Sequence, residues 1–100
     1  MDPKVKALQT ELSKIFPEGR VLYQFANELH KFRIERNGPP HCHWLYVKRT
    51  YIDDLTEQEI IQSLGRWQIP NAFHQSVQSR WIYLSERGVR DVDEHFGRGT

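Results

Sequence analysis

Only one cysteine, Cys42, and one methionine occur among the 100 residues. A lone thiol cannot close an internal disulfide, so the chain must hold itself together by burial, and a reducing compartment suits it. No apolar run approaches the ~18 residues needed to cross a bilayer. The opening MDPKVKALQTELSKIF is amphipathic and lacks the continuous apolar segment of a signal peptide. A cytoplasmic protein that is neither exported nor embedded in a membrane is expected. A surplus of one charge is missing too: the formal net charge is +1, too small by itself to imply nucleic acid or an anionic membrane as partner. No repeat, low-complexity tract or long linker divides the sequence. One domain over residues 1–100 is therefore expected, with 97–100 read as a disordered tail.

What is present is apolar surface: 38% of residues are hydrophobic and 12% aromatic, enough to offset the ordering entropy that keeps polar chains unfolded. The charges are also unevenly placed. Residues 1–50 hold nine Lys or Arg against five acids, a net +4, while residues 51–100 hold five against eight, a net −3. Much of the positive excess lies between Lys31 and Arg49. Opposite halves can attract one another within the fold or across a homodimer.

Asp2 as a cap and Pro3 in the first turn predict a helix, with Val5, Leu8, Leu12, Ile15 and Phe16 on its apolar stripe and a stop at Phe16-Pro17. RVLYQF from Arg20 and ELHKFRIER from Glu28 alternate and are rich in β-formers, as is HCHWLYVKR from His41, so three strands are predicted. Asn37-Gly38-Pro39-Pro40 must turn between the last two, because two prolines cannot donate to a ladder. If Arg36 and His41 close that loop, Ile34 faces His43, Phe32 faces Leu45 and His30 faces Val47 on one side. On the other side Glu35 faces Cys42, Arg33 faces Trp44 and Lys31 faces Tyr46, with Lys48 following. The first side is the core. The second alternates cations with aromatic rings.

Thr56 and Glu59 have capping-box spacing, and Leu55 and Ile60 occupy hydrophobic-staple positions, so a helix is predicted from Glu57 to a stop at Gly65. IPNAFHQSVQS reads as a loop containing one helical turn near Asn71 to Gln75. QSRWIYLS from Gln78 to Ser85 reads as a strand with Trp81 and Tyr83 on one face and Ile82 and Leu84 on the other. Val89, Val92 and Phe96 have the spacing of a last short helix. The predicted fold class is α+β, in the order α-β-β-β-α-β-α: an antiparallel sheet of three to four strands with helices packed on one face.

The triplet His41-Cys42-His43 invites a zinc site, since imidazole and thiolate are good ligands. In a strand, however, His41 and His43 point one way and Cys42 the other, and no CxxC, HxxxH or HExxH pattern supplies further ligands. His30 and His43 are expected half-buried at the edge of the core, each hydrogen-bonded to a neighbour. Cys42 as a nucleophile lacks a base on its own face, and none of Ser63, Ser76, Ser79 or Ser85 lies in a GxSxG elbow. Neither metal, cofactor nor catalytic residue is assigned. A small enzyme around the triplet ranks third among the readings.

Lys31, Arg33, Trp44, Tyr46 and Lys48 are the candidate binding residues. Such a face suits a protein partner or a second copy of the chain, because contiguous aromatic surface usually marks an interface. The alternative partner is nucleic acid, with unpaired bases stacked on the rings and phosphates met by the cations, although an RNP1-type signature is absent. A degenerate helix-turn-helix over LTEQEIIQSLGRWQIPNAFHQSVQSR would instead offer Gln75, Gln78 and Arg80 to DNA from a second helix. The plain structural account is that Arg33 on Trp44 and Lys31 beside Tyr46 are cross-strand cation–π pairs, worth ~0.5–1 kcal/mol each.

Overall fold

A computed structural model of the chain describes residues 2–96. The elements are α1 (Pro3–Ser13), β1 (Arg20–Ala26), β2 (Leu29–Glu35), β3 (Cys42–Lys48), α2 (Arg49–Asp54), α3 (Glu57–Arg66), α4 (Ile69–Gln75), β4 (Trp81–Ser85) and β5 (Gly88–Val92). The fold is α+β. The strands form one five-stranded sheet in the order β1-β2-β3-β4-β5.

Local chemistry sets the first and third helices. Asp2 Oδ1 accepts the Lys4 N–H at 2.8 Å, and Val5, Leu8 and Leu12 then recur on the buried stripe of α1. At α3 the capping box is complete: Thr56 Oγ1 accepts the Glu59 N–H at 3.2 Å, and Glu59 Oε1 accepts the Thr56 N–H at 2.9 Å. α1 ends three residues before the expected Phe16-Pro17 stop, with Lys14 as its C-cap.

The β2–β3 register matches the expected one pair for pair, Ile34 opposite His43, Phe32 opposite Leu45 and His30 opposite Val47. Phe32, Ile34, Leu45, Val47, Ile82 and Leu84 meet Val5, Leu8 and Leu12 of α1, Ile52 of α2, Ile60 and Leu64 of α3, and Ile69 and Phe73 of α4 in one buried cluster. The helices thus cover one face of the sheet. No described helix is long and apolar enough to cross a membrane.

Five expectations need correction. The sheet has five strands and is mixed, not three or four antiparallel ones, because β3 pairs with β4 in parallel across a helical crossover. The strand read through Arg49 stops at Lys48; Arg49–Asp54 turn into α2, which buries Tyr51 and Ile52. Gly65 does not stop α3, which runs to Arg66. Gln68 then takes a positive φ of 54°, and the helical turn expected near Asn71 to Gln75 is the two-turn helix α4 from Ile69, where Pro70 sits harmlessly in the first turn.

The last predicted helix is instead strand β5, paired antiparallel with β4 after the turn at Glu86-Arg87. Gly88 makes this return possible: its φ is 103°, and a Cβ there would sit 3.2 Å from the Trp67 ring. The tail at 97–100 lies outside the described residues.

Candidate functional site

Side chains of period two leave one sheet face to the helices and turn the other outward. Register fixes which outer residues are neighbours. One row runs Leu22, Arg33, Trp44, Trp81, Val92, and the next runs Gln24, Lys31, Tyr46, Tyr83, Arg90, each crossing all five strands. At ~4.8 Å per strand a row spans about 19 Å. Lys48 lies one position beyond Val47 at the end of β3, and its Nζ is 3.5 Å from Glu86 Oε2.

All five expected residues, Lys31, Arg33, Trp44, Tyr46 and Lys48, therefore belong to one face. The cross-strand cation–π contacts are formed: Arg33 lies 5.3 Å from the Trp44 ring centre and Lys31 lies 5.5 Å from that of Tyr46. Tyr46 is the least accessible of the set, 5% exposed, whereas Trp44, Trp81 and Tyr83 are half-buried. Glu35 receives Arg33 at 3.4 Å and is hydrogen-bonded by Arg20, which holds its carboxyl below the ordinary value. Among the cations of the face, Arg20, Arg33 and Lys48 thus have carboxylate neighbours.

Sequence reasoning missed four members. Trp81 and Tyr83 were legible as a pair on one face of a strand, but not as neighbours of Trp44 and Tyr46, because a parallel pairing leaves no turn to read. Arg90 was assigned to a helix. Phe96 comes from the turn after β5 and packs on the face, its ring 4.6 Å from Tyr83 and 6.2 Å from Tyr46. The guanidinium of Arg90 lies 5.4 Å from the Tyr83 ring and 5.3 Å from that of Phe96.

The triplet divides as alternation requires. His41 is exposed, Cys42 is half-buried on the outer face opposite Glu35, and His43 is fully buried in the core. Among the described residues no group of three His, Cys, Asp or Glu is placed to hold a metal ion. His43 and His30 are buried rather than half-buried. The His43 ring stacks on Phe73 at 4.9 Å and on Phe16 at 5.9 Å, and its Nδ1 accepts the Arg80 backbone N–H at 3.2 Å. Its Nε2 lies 3.4 Å from the guanidinium of Arg36. Burial first, then the charges of Arg36 and Arg80 and the nearby His74, push the His43 pKa down to about 4. His30 is lowered as well, by burial, and its Nδ1 lies 2.7 Å from Tyr23 Oη.

Two other features were tested by their surroundings. α3 and α4 do follow one another with a tight turn, but Ile69 and Phe73 of α4 are buried in the core. Gln78 and Arg80 lie beyond α4, not on it, and Arg80 is bound to Asp91 at 2.8 Å and to Ala72 O at 3.2 Å. A cleft of about 510 Å³ opens between α2, α3 and the β4–β5 turn, with Trp67 and Arg66 on its wall and the Tyr51–Ser63 hydrogen bond of 2.6 Å at its base. Trp67 thus both lines this cleft and packs against the core.

Comparison of the chain with protein-family models, with curated proteins and with solved structures finds no significant match in any of the three.

Proposed function

We infer that this chain is a small binding module whose open sheet face docks a protein partner, without catalysis. The observation that carries the reading is the state of the rings. Arg33 already lies on Trp44, Lys31 on Tyr46, and Arg90 with Phe96 on Tyr83. Base stacking needs free ring faces, whereas an interface core is built from Trp, Tyr and Arg packed together in this way. With the helices on the opposite side of the sheet, Trp44, Trp81 and Tyr83 stay half-buried on this one, and contiguous aromatic surface usually marks a contact surface.

The charge of the face favours a partner other than itself. Arg20, Lys31, Arg33, Lys48 and Arg90 stand against Glu35 on the outward positions of the ladder, with Glu86 beside Lys48 and with Asp93 and Glu94 in the turn that carries Phe96. An isologous pairing of two such faces sets like charges together, while an acidic surface is complementary. Single-stranded nucleic acid is the second reading. It is favoured by Trp44 and Trp81 standing side by side across β3 and β4 with Arg33 adjoining.

One set of measurements separates these readings. The protein is sized in solution, titrated with labelled single-stranded and duplex oligonucleotides at two salt concentrations, and panned against a displayed peptide library. The expected result is a monomer that enriches peptides which are no longer retained by Trp44→Ala. Oligonucleotide binding that weakens steeply with salt and is lost in Trp44→Ala would transfer the face to nucleic acid. Enriched peptides indifferent to Trp44→Ala would remove the face from consideration.

A further inference from the structure

We propose that the sheet face takes an aromatic anchor carried beside carboxylates on a partner, and that the turn at 93–96 of this same chain is its resident competitor. The proposal rests on the binding reading above and adds the chemistry of the ligand.

Asp93 builds the turn. Its Oδ1 accepts the His95 N–H at 2.9 Å, and its carbonyl accepts the Phe96 N–H at 3.1 Å. This local device places Phe96 two residues after Glu94 and three after Asp93, so a ring is presented from an acidic strip. The ring lands on Tyr83 and is stacked with Tyr46 at an interplanar angle of 20°, and Arg90 adjoins both Tyr83 and Phe96. The receiving surface therefore combines two rings with Arg90, and Lys31 lies against the far ring. Aromatic stacking and cation–π attraction hold the ring, and nearby cations favour the carboxylates that accompany it.

A surface that already holds a Phe from an acidic turn has shown which chemistry fits it. The turn follows β5 and Phe96 lies outside the buried cluster, so its displacement disturbs little of the core. A partner segment with a Phe after two acids meets the same groups and gains the Trp44–Trp81 row as further contact area. It must first displace Phe96, so its measured affinity is lowered by the local concentration of the tethered competitor.

The test uses the hexapeptide DVDEHF, the sequence of residues 91–96, and DVDEHA as its control, both fluorescently labelled. Each is titrated against the full chain and against Phe96→Ala, with circular dichroism confirming that the variant is folded. Phe96→Ala is expected to bind DVDEHF at least about fivefold tighter than the unaltered chain does, and neither protein is expected to bind DVDEHA.

A second readout needs no variant: excess DVDEHF must speed hydrogen exchange at the Phe96 N–H of the unaltered chain, and DVDEHA must not. Equal affinity of the two proteins for DVDEHF, unchanged exchange, or equal binding of both peptides overturns the proposal. A dimer that exchanges its 93–96 turns would assign the site to a second copy and overturn it too. None of these failures touches the Trp44→Ala comparison, which judges the binding reading separately.

Discussion

Nδ1 of His43 accepts the backbone N–H of Arg80, which ties the start of β3 to the residue before β4 through a side chain that is wholly buried. The bond requires Nδ1 to be unprotonated. The folded protein holds His43 at a pKa of about 4 against an ordinary 6.5, so on acidification the unfolded chain takes up the proton first. The His43 contribution is accordingly constant above about pH 7 and is lost as pH drops through 6.5 toward 4, with a loss of about 2 kcal/mol by pH 5. His30, also lowered, acts in the same direction. Urea unfolding at pH 7.5, 6 and 5 measures this. His43→Asn keeps an acceptor for Arg80 but cannot titrate, and should be less stable at pH 7.5 yet show a shallower slope.

The Arg33–Trp44 contact lies at an exposed site, with the Arg33 side chain 42% accessible. A double-mutant cycle of Arg33→Met and Trp44→Leu should give a coupling energy of about 0.5–1 kcal/mol. A coupling indistinguishable from zero would show that the pair contributes nothing to the sheet and is kept for contact with something else.

Two glycines should respond in opposite directions to alanine. A Cβ on Gly19 would lie 1.9 Å from the Glu35 carbonyl oxygen, so the β1–β2 ladder must shift to admit it, and Gly19→Ala should destabilise by about 1–3 kcal/mol. A Cβ on Gly65 meets nothing within 4 Å and lies inside α3, so Gly65→Ala should stabilise by about 0.5–1 kcal/mol. Thermal midpoints of the two variants settle both signs.

The β1–β2 hairpin turns through Asn27 at φ 55° and Glu28 at φ 62°. Two-residue turns of this hand favour Asn followed by Gly, and Glu at the second place carries a steric cost. Glu28→Gly removes that cost together with its exposed ion pair to Arg49, a contact worth little. The variant should gain about 0.5–1 kcal/mol, read as a higher denaturation midpoint with an unchanged slope.

Where the chain's signals were local, the sequence was readable in detail. The proline turn and the two-residue rhythm beside it placed every pair from Glu35–Cys42 to His30–Val47, and Thr56 with Glu59 marked the start of α3. What escaped was decided by distant partners. Arg49 extends the alternation of β3, yet it opens a helix because Tyr51 and Ile52 find burial there. Val89, Val92 and Phe96 fit a helical period, yet a strand wins because β4 offers an unpaired edge. The candidate face was accordingly half visible: Lys31, Arg33, Trp44, Tyr46 and Lys48 follow from one hairpin, while Trp81, Tyr83, Arg90 and Phe96 require knowledge of the parallel pairing.

That pairing has a consequence for the growing polypeptide. Trp44 and Trp81 become neighbours only when β4 has been made and has docked beside β3, after α2, α3 and α4 have been laid down between them. A nascent chain that has emerged only as far as α4 displays the basic hairpin without its second set of rings. The candidate face is thereby split between two separate segments of the message and is complete only once the later of them has been translated and has docked.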